Sequence, residues 1–189
     1  MIKFYDRAFT VLLIITCIII LFVFNHTVVS GDSMRNTYQT GDRLILNLID
    51  RNYNRSDIVT VFSDNGGAGQ IPNSLNTVYQ VLVNKRTVLV KRVIGLPGEE
   101  IEMVDKKIIL YNSKYPQGYI LEEPYAKNDW ICNNSQPNPD YSFSKKKIPE
   151  GSFFVMGDNR GCSQDSRYYG AFKRESILGR VVNKFVWLW

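Results

Sequence analysis

The sequence predicts an all-β domain carried behind one N-terminal transmembrane helix. Two features point that way: an uncharged apolar run at 8–24, and a later series of short β-favouring runs separated by turn-forming residues. The 189 residues are 44% hydrophobic and 22% charged, which is the composition of a globular protein and excludes a largely disordered chain. The 13 Gly, 7 Pro, 11 Tyr and 10 Phe favour a turn-rich β protein over a helix bundle.

The anchor is predicted over residues 8–29, after a short N-terminus at 1–7. No Asp, Glu, Lys or Arg lies between Arg7 and Asp32. At about 1.5 Å per residue the stretch would reach roughly 33 Å, enough to cross a hydrocarbon core of about 30 Å. The alternative is a cleaved signal peptide, which has a shorter apolar region and small residues at the cut. Because long domains translocate largely regardless of charge, we expect a cytoplasmic N-terminus and an extracytoplasmic domain at 30–189.

The rest of the chain is predicted to form strands, turns and two loops. Strand-like runs lie at 42–49, 57–62, 78–83, 87–94, 107–111, 152–156 and 177–188, and turn signals at 64–69, 96–98, 104–107 and 157–161. The run at 87–94 is apolar on both faces apart from Lys91 and Arg92, which predicts a central strand. The Gly/Asn/Ser-rich segment 63–76 and the proline-rich segment 112–150 are predicted loops, the second an irregular insertion.

A candidate nucleophile follows the apolar run. Ser33 stands in the segment SGDSM at 30–34, between turn formers that expose its hydroxyl. The alternative is an ordinary hydrogen-bonded turn serine. A serine hydroxyl needs a base to react at neutral pH, and the one histidine, His26, lies at the edge of the predicted span. The sequence therefore points away from histidine as the base of a serine enzyme.

Lys91 is the candidate for that base. In a strand, Lys91 and Arg92 point to opposite faces, so one of them faces inward if one face is buried. Burial among apolar neighbours lowers the pKa of a lysine, and a neutral amine can accept the proton of a serine hydroxyl. The alternative is that both cations reach solvent or pair with acids.

A third group of polar residues lies in the segment GDNRGCSQDSRYYG at 157–170, directly after an apolar run. Such a loop can supply hydrogen-bond donors and ion pairs to a site. The alternative is a self-bonded polar loop with ion pairs among its acids, Asp158 and Asp165, and its bases, Arg160 and Arg167.

Together these segments resemble the type I signal peptidases, membrane-bound serine proteases with a Ser/Lys dyad. The matching stretches are the anchor, GDSM at 31–34 with TGDR at 40–43, SDIVTVF at 56–62, KRVIGLPGE at 91–99 and the segment at 157–170. The resemblance implies a fold of twisted antiparallel sheets. It also implies removal of signal peptides from exported preproteins, cut after small residues in an Ala-x-Ala-like pattern through an acyl-enzyme. The GDSM segment resembles the Gram-positive branch, and a lysine at 91 departs from the endoplasmic-reticulum branch, which uses histidine.

The resemblance also implies roles for single residues. Ser33 would be the nucleophile with its N–H donating to the oxyanion, Lys91 the general base, and Ser163 the hydroxyl that orients the lysine. Asp158, Asp165, Arg167 and Arg92 match positions that hold the site together, and Met34 matches a residue lining the substrate pockets. Two positions depart from the family pattern. Asn36 stands where Pro is usual, and Gly31 where some members carry a second oxyanion-donating serine, which leaves main-chain donors for that role.

The expected partners are preprotein signal peptides and the lipid bilayer, with a monomeric state and no metal or organic cofactor. The net charge of +5 is not clustered as nucleic-acid binding requires. Cys132 and Cys162 could form a disulfide outside the cell. Whether the substrates are general or a subset such as pilins stays open.

Two alternatives remain. One is a soluble self-cleaving SOS-response protein with the same dyad, against which the predicted span argues. The other is an inactive, membrane-anchored β module that binds exported chains. The presence of both Ser33 and Lys91 argues against it, because a binding module has no chemical need for either.

Overall fold

The computed structural model of the protein describes residue 7 and residues 9–16, 24–64, 67–68, 87–126 and 142–185. Within these ranges the chain forms a helix α1 over 9–16, twelve strands and a short helix α2 (Ser166–Tyr169). The strands are β1 (Phe24–Val28), β2 (Arg43–Asn47), β3 (Ile58–Asp64), β4 (Gly67–Ala68), β5 (Thr87–Gly95), β6 (Glu100–Val104), β7 (Lys107–Tyr111), β8 (Tyr119–Ile120), β9 (Phe143–Lys147), β10 (Ser152–Met156), β11 (Phe172–Lys173) and β12 (Ile177–Phe185).

The strands form two antiparallel sheets. The larger sheet has the order β1-β2-β12-β3-β5-β10-β11, with β4 paired to β3, and the smaller has the order β8-β7-β6-β9. The prediction of a central strand at 87–94 is confirmed, because β5 lies between β3 and β10. The mostly antiparallel β fold predicted from the sequence is therefore present.

One core cluster joins the two sheets. Its members, buried to 1% exposure or less, are Ile94, Ile101, Met103, Ile108, Leu110, Ile148, Phe154 and Met156. They come from β5 and β10 of the larger sheet and from β6 and β7 of the smaller, except Ile148, which directly follows β9. A Cβ at Gly95 would lie 3.1 Å from the Phe154 Cβ and closer still to the end of the Ile148 side chain, so a larger residue there would have to displace core side chains. This packing fixes the small sheet beside the strand that carries Lys91.

The N-terminal segment differs from its prediction. Residues 24–28, predicted as the end of the anchor helix, form β1 and pair with β2 from Phe24↔Asn47 to Val28↔Arg43. The prediction of a single helix over 8–29 is therefore wrong at its C-terminal end. The β-branched Thr27 and Val28 suit a strand, and the pairing satisfies their backbone groups.

Within the described ranges, no helix is long and apolar enough to cross a membrane. Residues 17–23 of the predicted anchor lie outside the described residues.

The turn predicted at 104–107 is confirmed. It joins β6 to β7, and its central residues Asp105 and Lys106 have positive φ values of 48° and 62°, which suit a tight hairpin.

The prediction of an irregular insertion at 112–150 is wrong towards both ends of that segment. There the chain forms β8 and β9, which are the two edge strands of the small sheet. The sequence of β9, FSKKK, lacks apolar alternation because this edge strand leaves Lys145 and Lys147 exposed and Lys146 only partly buried. The interior of that segment, 127–141, lies outside the described residues, as does the strand predicted at 78–83.

Candidate active site

The two candidate dyad residues lie together. Ser33 lies in the turn between β1 and β2, here called the nucleophile turn (residues 31–37), and Lys91 lies within β5. The Lys91 Nζ is 2.8 Å from the Ser33 Oγ. The sheet order brings these side chains into hydrogen-bond contact across 58 positions of sequence.

Lys91 is buried among apolar residues. Lys91 is only 2% exposed. Val59, its partner on β3, and Val93, its neighbour on the same face of β5, are both 0% exposed. This burial lowers the pKa of Lys91 to about 8, against an opposing effect of the negative charge of Asp165. Among the described residues, Lys91 takes part in no salt bridge. A neutral amine beside a serine hydroxyl can act as its general base.

Asp165 lies in the segment 157–165, here called the site loop, and accepts hydrogen bonds from this loop and from Arg167. Its carboxylate accepts hydrogen bonds from the Ser163 Oγ at 2.6 Å, the Gly157 N–H at 3.0 Å and the Arg167 Nε at 2.9 Å. Burial alone would raise the pKa of Asp165, but these bonds and the charge of Arg167 hold it below its ordinary value. Asp165 and Arg167 therefore stabilise the site loop as an internal ion pair.

The Ser163 hydroxyl is hydrogen-bonded to an acid and not to Lys91. Its hydroxyl donates to Asp165, and no hydrogen bond joins it to Lys91 within the described ranges. Its proposed role in orienting the lysine stays a prediction.

Arg92 and Asp158 form a second buried ion pair. The Arg92 Nε and Nη2 donate to the two Asp158 carboxylate oxygens at 2.8 and 2.6 Å, and Asp158 is 0% exposed. Thr37 of the nucleophile turn also donates to that carboxylate. On its other side the Arg92 guanidinium lies 4.0 Å from the centre of the Tyr125 ring. Of the two adjacent cations in β5, one is thus paired with an acid and the other is held next to Ser33.

Two asparagines join the nucleophile turn to the site loop. The Asn36 Nδ2 donates to the Asp158 main-chain oxygen at 2.9 Å. The Asn159 Nδ2 donates to the Asp32 oxygen at 3.0 Å, and the Asn159 N–H donates to the Ser33 oxygen at 3.0 Å. The departure at Asn36 therefore supplies a hydrogen bond that a proline could not make.

A third ion pair was not expected from the sequence. Arg160, 1% exposed, donates through Nη1 and Nη2 to the Glu123 carboxylate at 2.9 and 2.5 Å. Glu123 comes from the start of the predicted insertion, in an acidic stretch that resembles any solvated loop. Neither Glu123 nor Tyr125 carries a local pattern that would have identified it.

Met34 and Cys162 complete the predicted residues. Met34 is 1% exposed and packs in a core cluster with Val29, Leu44 and Val90, so its role in a substrate pocket stays a prediction. Cys162 is disulfide-bonded. Its expected partner Cys132 lies outside the described residues. Within the described ranges, no group of three or more His, Cys, Asp or Glu residues is placed to hold a metal ion.

Comparison with known proteins gives consistent matches. A family model described as signal peptidase, peptidase S26, matches residues 2–187. A signal peptidase I of Leptolyngbya laminosa is 34% identical over 167 residues, covering 87% of this chain and 70% of that protein. Signal peptidase I P of Bacillus subtilis subsp. natto is 30% identical over 177 residues, covering 92% and 83%. A solved signal peptidase I from Enterococcus faecalis is 26% identical with a TM-score of 0.46, covering 69% of this chain and 97% of that one.

Proposed function

Since the chain belongs to the signal peptidase family, peptidase S26, and is a serine hydrolase of the signal peptidase I type, we propose that Ser33 is its nucleophile and Lys91 its general base. The family activity is the removal of signal peptides from exported proteins. The observation that carries the assignment is the 2.8 Å contact between the Lys91 Nζ and the Ser33 Oγ at a buried lysine.

The proposed reaction passes through an acyl-enzyme. Neutral Lys91 takes the Ser33 proton as the Oγ attacks the scissile carbonyl, and the Ser33 N–H donates to the oxyanion. Protonated Lys91 then gives that proton to the leaving amine of the mature protein. Lys91 next deprotonates a water that attacks the acyl carbonyl. As the bond to the Ser33 Oγ breaks, protonated Lys91 returns that proton to Ser33, and the signal peptide leaves with a new carboxylate. The ion pairs of Asp158 and Asp165 hold the site loop during these steps.

The proposed substrate is an extended segment with small residues at the first and third positions before the cut. Such a segment pairs with exposed strand edges as an added strand. The apolar run at 8–24 is proposed to tether the enzyme to the bilayer, with the N-terminus in the cytoplasm and the site outside. This arrangement would keep Ser33 near the membrane surface, where preproteins emerge.

Cleavage of a fluorogenic peptide with an Ala-x-Ala site tests the dyad. In detergent-solubilised full-length protein, we expect Ser33→Ala and Lys91→Met each to lower kcat by roughly 10³-fold or more, since dyad members act as a unit. Lys146→Met is the matched control. Lys146 is a partly buried lysine, 4.2 Å from the centre of the Phe143 ring, whose pKa burial also lowers, and it lies in β9 away from Ser33.

Full activity in Lys91→Met, or an equal loss in Lys146→Met, would contradict the dyad. A folded wild type that cuts neither the peptide nor a panel of exported precursors, pilins among them, would instead favour the inactive binding module. Cleavage of pilin precursors alone would show a dedicated enzyme.

A further inference from the structure

Asn159 donates hydrogen bonds to two successive main-chain carbonyls, those of Asp32 and Ser33. Its side-chain Nδ2 donates to the Asp32 oxygen at 3.0 Å, and its own N–H donates to the Ser33 oxygen at 3.0 Å. Of the two bonds, the one to Asp32 depends on the Asn159 side chain. It also acts on the peptide unit that contains the Ser33 N–H.

That peptide is a rigid unit. It is trans, so the Asp32 C=O and the Ser33 N–H lie in one plane and point in opposite directions. Holding the carbonyl from one side therefore aims the N–H to the other side. Within the described part of the chain the Ser33 N–H donates to no acceptor, which is consistent with its proposed role as a donor to the oxyanion.

The Asp32 carbonyl has a second donor. The Arg35 N–H donates to it at 3.1 Å, but Arg35 belongs to the same turn and moves with it. The hydrogen bond from Asn159 is the one that fixes this peptide relative to the site loop. Two donors on one carbonyl also polarise the peptide and strengthen its N–H as a donor.

Asn159 is itself firmly held, because it lies between two buried ion pairs. Asp158 before it pairs with Arg92, and Arg160 after it pairs with Glu123. The four side chains are 0 to 11% exposed. A side chain on so constrained a backbone can fix the direction of a neighbouring peptide.

We propose that Asn159 is a positioning residue that directs the Ser33 N–H toward the oxyanion. The inference rests on the proposed function, in which Ser33 is the nucleophile. Asn159 touches no reacting atom and acts through the Asp32–Ser33 peptide. Its effect should therefore appear in the transition state, where charge develops on the oxyanion, and not in binding of the ground state.

The test compares Asn159→Ala with Asn36→Ala in the full-length, detergent-solubilised enzyme. Each variant removes one hydrogen bond that a side-chain amide donates from one of these loops to the other, and the two bonds have similar lengths. Only the Asn159 bond is accepted by the peptide that contains the Ser33 N–H. A peptide aldehyde reports on the tetrahedral state. Its carbonyl carbon takes up the Ser33 Oγ, the Ser33 proton passes to Lys91, and negative charge develops on the aldehyde oxygen. The corresponding peptide alcohol reports on ground-state binding.

We expect Asn159→Ala to lower kcat by about 10-fold with KM unchanged, which is less than the roughly 10²–10³ of a deleted oxyanion donor because the Arg35 bond remains. Aldehyde affinity should fall by the same factor, with alcohol affinity and the midpoint of the pH–rate profile unchanged. In Asn36→Ala, aldehyde and alcohol affinities should change together. Parallel losses for both ligands in Asn159→Ala would overturn the inference, since they would indicate only loosened packing.

Asn159→Asp tests the same hydrogen bond in case the alanine variant does not fold. It keeps the side-chain size and the main-chain bond to Ser33, but a carboxylate cannot donate to the Asp32 oxygen. It should lose at least as much aldehyde affinity, and wild-type affinity in this variant would also overturn the inference. Ser33→Ala separates the two proposals: an active Ser33→Ala enzyme refutes the dyad, whereas an inactive one with no selective loss in Asn159→Ala refutes the positioning role alone.

Discussion

At the residue scale, the proposed chemistry of the site depends on how one lysine is shielded from water. An exposed lysine with an ordinary pKa of 10.5 would be almost entirely charged at neutral pH and could not accept a proton from Ser33. Burial of Lys91 beside Val59 and Val93 lowers its pKa to about 8, which makes the neutral form accessible. The adjacent Arg92 stays charged, because the Asp158 carboxylate pairs with its guanidinium.

This difference predicts the pH dependence of cleavage. In the proposed dyad only neutral Lys91 accepts the Ser33 proton, so kcat/KM should rise with pH through one ionisation near pH 8 and level off above it. The measurement is kcat/KM for an Ala-x-Ala peptide in the free enzyme from pH 6 to 10. A rate that is independent of pH, or a midpoint close to 10.5, would show that Lys91 is not the base.

At the element scale, buried ion pairs join segments that are remote in sequence. Arg92 joins β5 to the site loop, and Glu123 joins the stretch after β8 to the same loop through Arg160. A buried ion pair repays the cost of desolvation only while both partners are present. These pairs therefore hold one arrangement of the loop instead of adding much net stability.

The Glu123–Arg160 pair gives a test at this scale. Glu123→Leu leaves the Arg160 charge buried and unpaired, so we expect a loss of about 3–5 kcal/mol in the free energy of unfolding. The double variant with Arg160→Met should recover most of that loss, because it removes the unpaired charge. Urea unfolding of the three proteins at pH 7 measures both effects. Losses that simply add in the double variant would show that the two side chains are not energetically coupled.

At the scale of the whole molecule, the N-terminal run and the site are connected by a strand. β1 lies at the edge of the larger sheet, pairs with β2 and leads directly into the turn that carries Ser33. The apolar side chains of α1 are exposed, with Phe9 at 67% and Leu12 at 62%. β1 therefore places one paired strand, along the chain, between Ser33 and the apolar run at 8–24, which is the proposed tether.

Fractionation of bacterial cells tests this tether. The full chain should sediment with the membranes and resist alkaline carbonate extraction. Leu12→Arg with Ile15→Arg should weaken this retention, since each arginine costs about 2.5–3.5 kcal/mol in a spanning helix. Ile120→Arg is the matched control, since Ile120 is also an exposed apolar residue, 56% exposed, and lies in the small sheet. Full-length protein in the soluble fraction, or equal loss in the control, would contradict membrane anchoring.

The sequence by itself determined the features that depend on local pattern. Runs of Val, Ile, Leu and aromatic residues predicted β5 and β10, a turn signal predicted the hairpin at Asp105, and the order of short motifs indicated Ser33 and Lys91 as candidates. Local pattern failed where a segment is defined by its partner. The sequence of β1 looks like the end of an apolar run, and its strand form depends on pairing with β2. The sequence of β9 looks like a charged loop, and its strand form depends on pairing with β6.

Only the tertiary structure decided how the site is assembled. The contact of Lys91 with Ser33, the burial that lowers the pKa of Lys91, and the bonds of Asn36, Asn159 and Glu123 all join residues far apart in the chain. Such contacts follow from strand order and from the packing of one sheet against the other. A local sequence pattern contains neither, because distance and desolvation are properties of the folded chain and not of neighbouring residues.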